Sequence, residues 1–192
     1  MATDYKDSDQ AGQLSADERA LAGAIRAHLA GSLLPGEDQL SQERLDEAAA
    51  FMFEAARQRR SGDAALLIRS AHDGRRFTRF AFVNADMPFL VDSITATIAA
   101  EGLAIDQLAH PILPVRRDGE GRLTAVPDAD SAGEKRESMI YLETARVDAR
   151  ERRALESELV DTITDTRAAI ADWPMLRQTL EEDADQIGRA HV

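Results

Sequence analysis

The chain reads as an α+β protein, with a four-stranded antiparallel sheet carrying two helices on one face, preceded by an N-terminal helical hairpin. Three observations predict this. Two short strand-like runs flank Asp73-Gly74, a tight-turn signal. The second run alternates, Phe80 and Phe82 on one face against Arg79, Ala81 and Val83 on the other, then gives way to helical spacing at Leu90, Val91, Ile94 and Ile98. From Arg76 onward the predicted order is β-α-β-β-α, the ferredoxin-like pattern without its closing strand.

Residues 1–14 are polar and predict a disordered tail. Ser15-Ala16-Asp17-Glu18 has capping-box spacing, and Leu21, Ile25 and Leu29 then mark one face of a helix that Gly31 ends. After Pro35-Gly36, Ser41 begins a second helix whose apolar face is Leu45, Ala49, Met52, Phe53 and Ala56. Arg57, Arg59 and Arg60 fall in its expected last turn, where solvated cations complement the helix dipole. These two helices form the hairpin of 15–62, packed on the later part of the chain or on a neighbouring chain.

The domain proper is expected over 63–174. Strands 64–70 and 76–83 form an antiparallel pair. Asp86 is placed as N-cap of a helix from Pro88 to about Ala100, with proline tolerated in the first turn and Gly102 after the end. The stretch Leu103–Arg116 is extended but carries Pro111 and Pro114, which cannot donate to a central ladder, so it belongs at a sheet edge. Asp118–Lys135 lacks periodicity and reads as a long loop, and its glycines make no phosphate-loop pattern. A strand over 137–145 comes next, then a capping box at Asp148–Glu151 and a helix striped by Leu155, Leu159, Ile163, Ile170 and Trp173 that Pro174 ends or kinks. Residues 175–192 are acidic and weakly helical, a tail or the start of a linker. The expected strand order is 64–70, 76–83, 137–145, 103–116, with the helices from 88 and 149 on one face. The other face falls to the first two helices, a second subunit or solvent.

Composition narrows the functional classes. A net charge of -12 argues against nucleic acid and anionic membrane surfaces as partners, because phosphate binding rests on clustered Lys and Arg. The absence of cysteine excludes disulfides, a thiolate nucleophile and Cys-based zinc sites. The amino terminus has no signal-peptide pattern and no run reaches membrane-spanning length, so the expected location is cytoplasmic. The four histidines, His28, His72, His110 and His191, are scattered, and no metal site or catalytic constellation is predicted.

Three runs occur in order: Asn84–Ser93 (NADMPFLVDS), His110–Asp118 (HPILPVRRD) and Glu137–Glu143 (ESMIYLE). Together they resemble the amino-terminal, ACT-like region of the large bacterial NAD-specific glutamate dehydrogenases. The resemblance covers about Ala64 to Trp173, and Ala85 departs from the acidic residue typical there. It implies a non-catalytic regulatory or assembly segment of an enzyme that converts glutamate, NAD and water to 2-oxoglutarate, ammonium and NADH. NAD then belongs to the parent enzyme, and this segment holds no cofactor. Downstream domains of the parent chain, a further copy in a homo-oligomer and an amino-acid effector are the implied partners.

The strand-to-helix corner is where such an effector would sit, with its carboxylate at a helix N-terminus. The candidate contacts are Asn84, Asp86, Met87, Asp92, Ser93, His110 and Arg116. Each also has a plain structural reading. Asp92 can simply stabilise the helix start, His110 can pack at a strand end, and Arg116 with Arg117 forms either a carboxylate clamp or a solvated strand end. The competing functional reading is a purely structural oligomerisation or interdomain module that binds no ligand.

Overall fold

The computed structural model describes residues 14–32, 40–128, 131 and 133–189, the stretch 174–189 by its backbone alone. The expected tail falls almost wholly outside these residues. In chain order the elements are α1 (Ala16–Ser32), α2 (Gln42–Ala56), β1 (Ala65–His72), β2 (Arg76–Ala85), α3 (Leu90–Ala100), β3 (Ile105–Ala109), β4 (Ile112–Arg117), β5 (Leu123–Ala125), β6 (Lys135–Ala145) and α4 (Ala149–Arg189).

The strands make one antiparallel sheet in the order β1-β2-β6-β4-β5, with β3 also on β6. The expected order of the major strands is observed, and the expected strand count is not. The stretch read as one edge strand divides at His110-Pro111 into β3, which pairs with the end of β6, and β4, which pairs with its beginning. Pro114 sits in β4 opposite Arg136, in the part of that strand that β5 does not reach, so its missing donor costs no ladder bond. The stretch read wholly as loop contains β5, which pairs with Arg116 and Arg117.

Two-residue alternation sends the sheet's apolar side chains into two separate cores. Phe80, Phe82, Ile140 and Leu142 pack under α3 and α4, against Ile94, Ile98, Leu155, Leu159 and Ile163. Ala81, Val83, Met139 and Tyr141 face the opposite way, against Ile25, Leu29 and the Ala49, Met52 and Phe53 side of α2. The first two helices therefore supply the cover for the second face. They lie against one another, with Arg26 reaching Asp46 and Gln42; their connection, 33–39, is outside the described residues.

Local signals account for the helix starts. Both capping boxes close: Ser15 N–H donates to Glu18 (2.9 Å) and Glu18 N–H to Ser15 Oγ (3.2 Å), while Glu151 N–H donates to Asp148 Oδ1 (2.9 Å). Ser41 caps α2, accepting from Arg44 N–H. Pro174 does not end α4, which runs on to Arg189, so most of the expected tail is helix.

The exit of α2 departs most from expectation. The helix stops at Ala56, so Arg59 and Arg60 are not in its last turn. Instead the chain runs extended beside the β4–β5 turn: Arg59 N–H donates to Gly121 O (2.9 Å), Leu123 N–H donates to Arg57 O (3.0 Å), and Gln58 bridges Arg122. Gly121 makes this approach possible. Its φ is +84°, and a Cβ there would stand 2.5 Å from the Arg59 carbonyl oxygen. Gly121→Ala is expected to cost about 1–3 kcal/mol through strain at that conformation, and more if the backbones separate. Urea unfolding checks it; a loss under about 0.5 kcal/mol would mean the contact carries no weight.

Candidate functional site

Two groups of polar side chains flank the start of β6, one on each face of the sheet. The first is the corner after β2. Asn84 lies opposite Ser138 in the β2–β6 ladder and is buried. Its Oδ1 accepts from Arg167 Nη2 of α4 (2.6 Å) and its Nδ2 donates to Ala85 O (2.9 Å). Asp86 is not an N-cap. Its N–H donates to Arg136 O (3.1 Å) and its carboxylate accepts from Ser138 Oγ (2.8 Å), because the chain stays paired to β6 past the end of β2. His110, at the break between β3 and β4, is half-buried, and its Nε2 is shut off from solvent without a hydrogen-bond partner among the described residues. Met87 packs half-buried at the edge of the core beneath α3 and α4.

The helix itself starts at Leu90. Phe89 occupies the N-cap position at φ +62°, ψ +1°, and no side chain caps the first turn. A bulky residue in the left-handed region is uncommon, and this ring is 67% exposed, so packing does not explain it. Pro88, Phe89 and Ser93 form one wall of a groove of about 470 Å³; Ile170 and Trp173 of α4 help form the other. Asp92 is exposed in the same first turn. Of the predicted contacts, Asn84, Asp86, Met87 and His110 thus gather at the strand ends and Asp92 and Ser93 on the helix above. Arg116 lies six residues past His110, about 20 Å of extended chain away, and its Nε donates to Glu134 (2.8 Å).

The second group lies across the sheet. Glu137 is buried and is held by two arginines. Arg117 grips it with a bidentate fork, Nε to Oε1 (2.8 Å) and Nη2 to Oε2 (2.7 Å), while Arg59 Nε donates to Oε1 (3.2 Å). The third nitrogen of each arginine is also engaged: Arg59 Nη1 reaches Asp63 O (2.7 Å), and Arg117 Nη1 reaches Ala56 O (2.8 Å) and Gly121 O (2.9 Å). Arg117 does form a carboxylate clamp, but the carboxylate is the protein's own.

Six residues on, Glu143 repeats the arrangement. It is buried, pairs with Arg44 near the start of α2, and accepts from Tyr141 Oη (2.7 Å). Burial foremost, with the neighbouring Glu143, pushes the Tyr141 phenol far above its ordinary range. Sequence reasoning missed both networks. The signal was two glutamates in phase with Met139 and Tyr141 on a strand with no polar face, since charges there need partners.

The comparison with protein families rests on the same elements. The model described as "Glutamate dehydrogenase, ACT1 domain" matches residues 34–159, from the beginning of the α1–α2 connection into α4. The chain belongs to that family. The NAD-specific glutamate dehydrogenase of Halomonas elongata is 34% identical over 103 residues, 52% of this chain. That of Pseudomonas aeruginosa is 32% identical over 118 residues, 60% of this chain. The chain spans 6% and 7% of the length of these two relatives. No solved structure matches it.

Electrostatics within the ACT1 domain follow from burial. Desolvation raises the pKa of Glu137, but the guanidinium of Arg117, then that of Arg59, outweighs it, and the carboxyl sits below its ordinary 4.5. Burial lowers His110 from 6.5, with the nearby Asp86 carboxylate opposing.

Both groups make stability fall with acidity, over different ranges. A depressed Glu137 contributes stability above about pH 4.5 that is lost as pH falls through its lowered value. Glu137→Gln leaves the buried Arg59 and the partly buried Arg117 without their anion and is expected to cost about 3–5 kcal/mol at pH 7 while flattening the acid limb of the stability curve. Urea unfolding at pH 7 and pH 4 measures both effects; a loss below about 1 kcal/mol would show that the triad does not anchor the fold. A depressed His110 contributes stability above 6.5 that declines as pH falls through its folded value. In His110→Gln, melting temperatures between pH 7.5 and 5.5 are expected to vary less than in the parent. An equally steep decline would assign the effect to another group.

Proposed function

We propose that this ACT1 domain is a non-catalytic regulatory or assembly segment of a large, cytoplasmic NAD-specific glutamate dehydrogenase. The parent enzyme would deaminate glutamate oxidatively to 2-oxoglutarate with NAD as its cofactor, in domains beyond this chain. The observation that carries the reading is the family match over 34–159, which spans every strand of the sheet together with α2 and α3. Support for the parent activity is the name the two relatives share.

Within this reading the corner is the contact point for an amino-acid effector. The uncapped first turn of α3 offers N–H groups and a partial positive charge to a carboxylate. The neighbouring groove between Phe89 and Trp173 offers an apolar wall to a side chain. Left-handed strain at Phe89, of about 1–3 kcal/mol, is spent on holding an aromatic ring in solvent, which is more readily explained by a role in binding than by folding.

A second reading is favoured by one observation. Phe89 (67% exposed) and Trp173 (59%) stand together on the surface, as apolar side chains at subunit or interdomain contacts do. In that case the groove meets a downstream domain or another copy of the chain, and no effector binds.

Thermal unfolding of the chain against a panel of amino acids, 2-oxoglutarate and nucleotides separates the two. A ligand at about 100 times its Kd should stabilise the domain by about 2.7 kcal/mol. Phe89→Gly relieves the backbone strain and removes the groove wall, so it is expected to leave the domain at least as stable and to abolish the amino-acid shift. A mass that rises with protein concentration, with no response to any compound, would support assembly instead. An amino-acid shift that survives Phe89→Gly unchanged would remove the corner from the effector reading.

A further inference from the structure

Across the sheet from the corner, a cavity of about 750 Å³ opens between the exit of α2 and the β4–β5–β6 end of the sheet. Its size falls within the range of small-molecule sites, about 300–1,000 Å³. Its charge is opposite to that of the chain as a whole, which carries -12. Five cations line it, Arg59, Arg60, Arg116, Arg117 and Lys135, against three carboxylates.

All three carboxylates are already engaged. Glu137 is held by Arg59 and Arg117, and Glu134 is paired with Arg116. Asp118 Oδ1 accepts from the N–H groups of Glu120 and Arg122 (2.9 Å each), closing the turn before β5. Arg60 and Lys135 remain, both exposed and neither with an acidic partner among the described residues. Among the described residues the lining therefore carries two more cations than carboxylates, beside the triad of Arg59, Arg117 and Glu137.

We propose that this cavity is a binding site for a small dianion, the class that includes phosphate monoesters and dicarboxylates. Two surplus cations match two negative charges. Arg60 supplies a planar fork suited to either oxyanion, and Lys135 a compact point charge. The glutamate-bound arginines behind them raise the local potential without being free to rearrange, so that an incoming anion meets a preorganised field. Neutral or zwitterionic ligands gain nothing from this balance. The inference stands apart from the effector reading of the corner, which uses other residues on the other face.

The test is calorimetric titration of the chain with inorganic phosphate and, separately, with succinate at pH 8, with acetate at matched ionic strength as the monoanion control. Saturable binding of at least one dianion, at least tenfold tighter than acetate, is expected. Phosphate alone would point to a phosphate monoester, succinate alone to a dicarboxylate. The double variant R60Q/K135Q changes only exposed side chains, so it is expected to keep the parent melting temperature and to bind at least tenfold more weakly. Phe89→Gly should bind the dianion as the parent does, which separates this site from the corner. Absence of saturable binding by both dianions, or equal binding by the double variant, overturns the proposal.

Discussion

Two carboxylates on the central strand set the terms for the rest of the molecule. Glu137 and Glu143 point to the same face of β6, and that face is covered, so each must be matched by a cation brought from elsewhere. Arg117 of β4 supplies one of them, and two others flank a single helix: Arg44 lies near the start of α2 and Arg59 just past its end. The lengths agree. Six residues of strand span about 20 Å and the fifteen residues of α2 about 22 Å, so the helix fits between its two pins. Between them the apolar side of α2 packs on Met139 and Tyr141, and Phe51 receives the Arg79 guanidinium 4.4 Å from its ring centre. Apolar burial supplies the bulk of the stability, while the ion pairs choose the position, because sliding the helix would part Arg44 and Arg59 from two buried carboxylates. The approach of Gly121 to Arg59 belongs to the same constraint, since Arg59 reaches Glu137 only if the chain leaving α2 can lie against the β4–β5 turn.

Much of this fold was legible because it rests on short-range rules. The β1–β2 hairpin, both capping boxes, the Ser41 cap and the assignment of Phe80 and Phe82 to the face opposite Ala81 and Val83 follow from turn chemistry and two-residue alternation. The elements that differed depend on tertiary partners. Asp86 has the composition of an N-cap, but Ser138 and Arg136 on β6 take its carboxylate and its N–H. Arg59 looked like a solvated charge at a helix end because nothing local announces Glu137, 78 residues away. Strand β5 is three residues long and owes its pairing to β4 and to the exit of α2 rather than to any pattern of its own. At the corner, the proximity of His110 to Asp86 and the contact of Arg167 with Asn84 needed the sheet order and the placement of α4, whereas the prominence of the Asn84–Ser93 run was visible at once.

The corner and the cationic cavity are joined by the alternation of one strand. Ser138 turns toward α3 and α4 and holds Asp86, while Glu137, its neighbour in sequence, turns toward α2 and holds Arg59 and Arg117. Lys135 lines the cavity on the Glu137 side, and the carbonyl of Arg136 accepts the N–H of Asp86 in the plane of the sheet. One short end of β6 therefore carries contacts to the corner before α3 and to the chain leaving α2. This strand end cannot move without disturbing both sites, because a shift that preserved the Glu137 fork would still displace Ser138 from Asp86. The two faces of the ACT1 domain are thus tied together here by backbone and two side chains rather than by a chain of loosely packed contacts. A displacement of Glu137 on one face is thereby a displacement of Ser138 on the other.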